Sequence, residues 1–342
     1  MRAEGRTLTQ GDGRRKGIVP MRRLHKLLLA VSTTVLAVPA AFGWGGRLHM
    51  DINHAAALDV PDDMAAWRDY DNLMALNGVD PDLWKGNDSA EGPRHYIDLE
   101  RFGHGGATNL PRQLRDALAG PGRKVADGIA PWVIMDVYNR LVAAMASNQW
   151  VEAARDAAAL GHYVADIHQP LHTTEHYNEK GAHLRWEETM PSYQWRSSLL
   201  KPAPAKPLAD PWAALLQWID HAHPLYPQIY QADRDAAALA HDTQSLTYYH
   251  ALWEKTRGLF IGQVELAATD VASLWYTAWI AAGRPKIPAP PQEIPGGSIW
   301  VMEPAREPVA SEAPFLIFFA AAATLILALS IWKATRRTPD SR

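Results

Sequence analysis

Between residues 44 and 283 apolar side chains recur at three- and four-residue intervals, the period of helices that turn one face to a core. The stretch PWVIMDVYNRLVAAM opens with Pro131 in a first-turn position and repeats apolar residues through Ile134, Val137, Tyr138 and Leu141, which predicts a helix. QWVEAARDAAALGHYVADIHQP keeps the same period until Pro170, which lacks the N–H that a continuing helix needs. Residues 242–282 predict one or two further helices, ending at Gly283, Arg284 and Pro285. No run alternates like a half-buried strand, and no unit repeats. The expected body, 44–283, is a single all-α, multi-helix domain.

The pattern changes at both ends. Residues 21–43 join a basic start, an apolar run and the small residues Ala41 and Gly43, which predicts an export signal cleaved before Trp44. Met21 begins a complete signal by itself, so residues 1–20 are assigned no fold and 1–43 is set apart from the body. Residues 314–332 contain no charge, and at about 1.5 Å per residue they are long enough for a membrane-spanning helix. Lys333, Arg336 and Arg337 follow, so the positive-inside rule makes 333–342 a cytoplasmic tail and puts the body on the periplasmic or extracellular side. Between them, 284–313 holds seven prolines and reads as an extended stalk.

Composition narrows the chemistry. The 342-residue chain has no cysteine, which excludes thiolate metal sites, disulfides and cysteine nucleophiles; a metal here must rest on His, Asp, Glu and main-chain groups. Residues 44–313 hold 22 basic and 34 acidic side chains, a formal −12, and such a surface does not attract nucleic acid through its general field. Bound cations would offset part of it.

Ligand-type residues then cluster in LGHYVADIHQPLH. His162 and Asp166 are one helical turn apart on one face, and the break at Pro170 lets His172 return toward them. HLRWE repeats the spacing with His183 and Glu187. Upstream, VDPDLWKGNDSAEGPRHYIDLE offers Asp82 and His95, and WGGRLHMDI offers His49. Imidazole and carboxylate together suit borderline and hard cations.

With these residues the stretch 44–280 resembles the trinuclear-zinc superfamily of bacterial zinc-dependent phospholipases C and fungal-type single-strand-specific zinc nucleases, HYVADIHQPLH being the most specific element. The resemblance implies an all-α zinc phosphodiesterase with three Zn²⁺. Asp82, His95, His162 and Asp166 would hold one ion. Asp166 would bridge to a second, shared with His49 and with the free amine and carbonyl of Trp44, and His172, His183 and Glu187 would hold the third. Asp80 fits the spacing to His95 nearly as well as Asp82; Lys85 favours Asp82, since Asp-x-x-Lys is like the family's Asp-x-x-Arg. His54, His168 and His176 have no place in the pattern and are expected to support the site or to lie on the surface.

The implied chemistry is attack by water on a phosphodiester, with Asp82 orienting the water or taking its proton and Lys85 contacting a phosphate oxygen. For a nuclease speak HQPLH, Lys85, and Tyr96 and Asp98, which resemble residues that stack on and hydrogen-bond a base. For a phospholipase C-like enzyme, the reading favoured here, speak Glu187, the short connection from His172 to His183, the acidic body and the expected anchor. Arg47 and Leu83 stand where a choline cage would need acidic and aromatic groups, which argues against phosphatidylcholine. Partners are thus a phospholipid or single-stranded nucleic acid as substrate and the membrane itself. A non-enzymatic zinc-binding ectodomain is the third reading.

Overall fold

A computed structural model describes residues 44–103 and 105–300, all within the compact unit that begins at Gly43. Among these residues there are helices and turns and no strand. The longer helices are α1 (Gly46–Leu58), α2 (Ala130–Ala146), α3 (Trp150–His168), α4 (Pro211–Ala222), α5 (Tyr226–Ala240) and α6 (Leu246–Ala281).

Their boundaries follow from local chemistry. Pro131 occupies the first turn of α2, where no N–H is required. Asp210 caps α4 by accepting from the N–H groups of Trp212 and Ala213 at 3.1 and 3.3 Å, and Ser245 caps α6 by accepting from Tyr248 N–H at 3.2 Å. The region 242–282 proves to be one unbroken 36-residue helix after this cap, followed by Gly283 at φ 86°.

α3 is the axis of the fold. Every residue from Asp156 to His168 is buried, because α1, α2, α4 and α6 pack around it. Its alanines at 157, 158, 159 and 165 let these neighbours approach closely. A helix enclosed on all sides is the one place where several distant segments can deliver side chains to one spot.

One expectation needs correction. No helix among the described residues is long and apolar enough to cross a membrane, so the fold class is all-α without a described spanning helix; 314–332, where the span was expected, lies outside the described residues, as do 1–43 and 333–342. The part of the proline-rich stalk that is described, 284–300, lies along the body. Ile287, Ile294 and Ile299 are buried at 8, 7 and 4% exposure, Arg155 donates to Gly297 O and Ser298 O at 2.6 and 2.7 Å, and Tyr70 donates to Pro288 O at 3.3 Å. Prolines keep this segment out of helix, but its isoleucines still gain by leaving water.

Candidate metal centre

α3 presents His162 and Asp166 one turn apart, both fully buried. α1 lays His49 flat against His162, ring centroids 3.7 Å apart. A short helix, Asp80–Trp84, turns Asp82 inward to 3% exposure and leaves Asp80 only partly buried. The 3₁₀ turn Gly92–His95 brings His95 edge-on to His162 at 4.9 Å. After Pro170 a second 3₁₀ turn, Pro170–Thr173, is held by Leu171 N–H donating to the Gln169 side chain at 2.6 Å, and it carries His172 back. His183 and Glu187 follow from the short helix Ala182–Leu184 and the wider π-type turn Arg185–Thr189.

These residues fall into three groups: His49, His162 and Asp166; Asp82, His95 and His162; His172, His183 and Glu187. Within each, the donor atoms lie within 4.8 Å of one another, close enough to hold one metal ion. Asp80 belongs to none. The first two groups share His162, and Asp166 reaches beyond its own. Its Oδ1 is 3.5 Å from His49 Nε2 and 3.5 Å from His172 Nδ1; its Oδ2 is 2.8 Å from His95 Nδ1 and 3.3 Å from His162 Nε2.

The electrostatics are those of a buried anionic centre. Burial disfavours the charged form of Asp166, but His162 and His172 outweigh it and hold the carboxyl well below its usual range. Glu187 is lowered in the same way, burial being overcome by His183 and His172. Burial and His162 push His49 down to about 4, which keeps the ring neutral, with one nitrogen lone pair free, at neutral pH. His162 moves the other way, burial being outweighed by Asp166 and Asp82. Both nitrogens of His49, Asp82 Oδ2, Asp166 Oδ1 and Glu187 Oε1 are buried without a hydrogen-bond partner. The carboxylate oxygens can only accept and each neutral imidazole has a single proton to give, so the cluster holds more acceptors than donors, a deficit that cations can fill. Nitrogen and oxygen donors without sulfur suit zinc and other first-row divalent metals, so the donor set fits the expected ion.

The remaining predicted residues surround this centre. Trp44 is fully buried, its indole donating to Ala165 O at 2.8 Å and packing on Trp186 and Phe260 at 5.2 and 5.0 Å. Gly45 N–H donates to Glu187 O at 3.3 Å, which pins the main chain of Trp44 beside the third group. Lys85 Nζ lies 2.7 Å from Asp82 Oδ1, its side chain 25% exposed. Tyr96 donates to Ala126 O at 3.0 Å, and burial followed by Asp127, Glu100 and Glu175 raises Asp98 to about 6. His54 faces Asp71 at 3.3 Å and His168 faces Asp270 at 3.1 Å, while His176 packs near Tyr226; all stand outside the three groups.

Several residues that orient the centre have no signal of their own in sequence. Gly78 O lies 2.8 Å from His162 Nδ1, Gln169 donates to Glu187 at 2.8 Å, and Glu91 Oε1 lies 3.2 Å from His95 Nε2. Only Glu91 had a pattern that could have drawn notice, four residues before His95 as Asp166 is four after His162. No protein-family model matches this chain, and no curated protein matches it.

Proposed function

We propose that this chain is a zinc-dependent phosphodiester hydrolase, phospholipase C-like, of the trinuclear-zinc type that the sequence resembles. The observation that carries the reading is Asp166, whose two oxygens face different sets of imidazoles at the centre of three adjoining donor groups. Its bridging position would bring cations close enough to act on one phosphoryl group.

When bound, zinc supplies Lewis acidity that polarises phosphoryl oxygens and lowers the pKa of water. The chain supplies the rest. Asp82 has one oxygen engaged by Lys85 and the other buried without a partner, so the free oxygen can orient an incoming water or accept its proton. Lys85, partly exposed beside it, can meet a phosphate oxygen. His49, His95, His162, His172, His183 and Glu187 hold the ions, and Trp44 adds its amine and carbonyl once the signal-like 21–43, outside the described residues, has been removed. The chain is read as exported on that segment alone.

Single-strand-specific nuclease is the second reading, favoured by Asp98 raised to about 6 next to Tyr96, since a carboxyl that readily gains a proton can both donate to and accept from a base edge. Zinc-loaded protein should be assayed in parallel on bis-p-nitrophenyl phosphate, mixed phospholipid vesicles and single-stranded DNA. Turnover of the first two with little on DNA is the expected result; faster DNA cleavage selects the nuclease. Fully loaded protein that turns over none of them is a zinc-binding domain without this activity.

A further inference from the structure

Behind His95, away from the other ligands, lies a buried relay that ends on the C-terminal segment. Glu91 is 0% exposed. Its Oε1 faces His95 Nε2 at 3.2 Å and also accepts from the Tyr163 hydroxyl; its Oε2 accepts from Arg94. Tyr163, fully buried, in turn accepts from Trp300 Nε1–H at 3.2 Å, so one hydroxyl both donates and accepts, and the chain of bonds has a single direction. The Trp300 ring also lies under the Arg94 guanidinium, 4.5 Å from its carbon to the ring centroid. Both groups that hold Glu91 are therefore themselves held by Trp300.

The chemistry of this arrangement is constrained. An ionised carboxylate can only accept, and carboxylates face both nitrogens of His95, Glu91 at Nε2 and Asp166 at Nδ1; with a cation in place of a proton at Nδ1, the ring proton sits on Nε2 and is donated to Glu91. Its lone pair is then on Nδ1, the atom that faces Asp82 Oδ1 at 3.7 Å, Asp166 Oδ2 at 2.8 Å and His162 Nε2 at 3.1 Å. Without Glu91 the ring could carry its proton on either nitrogen. Arg94 helps keep Glu91 charged, and Tyr163 keeps it pointing at His95 and not at solvent.

We infer that Glu91 is a positioning residue that fixes the tautomer and orientation of His95 for ligation through Nδ1, and that Trp300, through Tyr163 and Arg94, locks it from the segment that follows α6. Metal affinity at the Asp82, His95 and His162 group thus depends on a residue of the segment that follows α6, which reads in sequence as an extended stalk. The inference rests on the zinc reading above. Its physical basis is the general dependence of a metal-bound imidazole on the acceptor behind it, commonly worth about 10–100-fold in affinity.

The test is Zn²⁺ affinity by chelator competition on wild type, Glu91→Ala, Glu91→Asp, Tyr163→Phe and Trp300→Ala, with imidazole ¹⁵N shifts recorded on the zinc-loaded proteins. Glu91→Ala should weaken one zinc by about 10–100-fold and remove the signature of an Nε2-protonated, Nδ1-ligating His95. Glu91→Asp should restore part of the affinity, since a carboxylate remains. Tyr163→Phe and Trp300→Ala should each cost a smaller factor on the same zinc and leave the other ions unchanged, which general loosening of the fold would not do. Wild-type affinity and an unchanged His95 spectrum in Glu91→Ala would overturn the positioning role. Effects at Glu91 without any at Trp300 would overturn the lock. Wild-type protein that binds no zinc at all would overturn the metal reading itself, and this inference with it.

Discussion

Asp166 shows how much one side chain can decide. It is fully buried, faces four imidazoles, and is stabilised as an anion by His162, His172 and His49. Asp166→Asn keeps the shape but replaces one anionic oxygen by an amide that donates, so its own donor group loses a ligand and the adjoining group loses the carboxylate that reaches it. Zinc content measured on pure protein should fall from about three per chain to about one, and turnover should fall by more than about 100-fold, beyond the loss typical of a group that merely supports a ligand. Retention of three ions by Asp166→Asn would mean that Asp166 bridges nothing.

At the scale of elements, the centre depends on how closely α1 and α3 approach. Asn53 of α1 is buried beside Gly161 of α3, where an added Cβ would meet Asn53 Oδ1 at 2.1 Å, and beside Gly78, where it would meet Asn53 Nδ2 at 2.7 Å. Gly161→Ala must displace the Asn53 side chain, which either breaks its 2.9 Å hydrogen bond to His49 O or carries α1 outward with it, and both disturb His49. Overpacking of this kind costs about 1–3 kcal/mol, so the denaturation midpoint should drop and zinc content with it; an unchanged midpoint would show that Asn53 moves aside without cost. The contact of α2 with α3 yields a pH prediction. Burial raises Asp156 of α3 to about 6, outweighing Arg140 of α2, whose guanidinium lies 3.3 Å away. A carboxyl raised in the folded state contributes stability below its unfolded pKa, 3.8, that is lost as pH rises through about 6. Relative to wild type, Asp156→Asn should therefore gain about 1–3 kcal/mol between about pH 4 and pH 7, read from denaturant unfolding at both pH values. A constant difference across that range would place Asp156 at its ordinary pKa.

At the scale of the whole molecule, the aromatic packing around Phe260 ties the start of the body to its longest helix. Trp44, Trp186, Trp195 and Trp253 all lie within 6 Å of the Phe260 ring. The main chain of Trp44 is thereby held beside Glu187 whether or not it binds metal. This separates two roles for the residue. Protein that begins at Trp44 offers a free amine and should carry about three zinc ions, whereas one extra residue in front of Trp44 removes the amine and carbonyl chelate. The extended form should keep its helical circular dichroism and lose about one zinc and most turnover. Full zinc and full activity in the extended form would leave Trp44 a packing residue only.

What was legible in sequence was whatever depends on near neighbours. The period of 131–145 and the stop at Pro170 anticipate α2 and the end of α3, and four-residue spacing alone puts His162 and Asp166 on one face. Ligand chemistry was legible too, since side-chain donors are a property of residue type. The tertiary structure decided what depends on distant segments meeting. It chose Asp82 over Asp80, because only the former turns into the core; it set His49 on His162, 113 positions apart; and it laid 284–300 along the body so that Trp300 reaches Tyr163. The short turns that deliver Asp82, His95 and His172 have weak propensities of their own, and which remote surface they close on is settled only when α3 is enclosed. Hydrophobic burial is non-directional, so sequence pattern tells which faces leave water; the fit of side chains around α3 tells which faces meet.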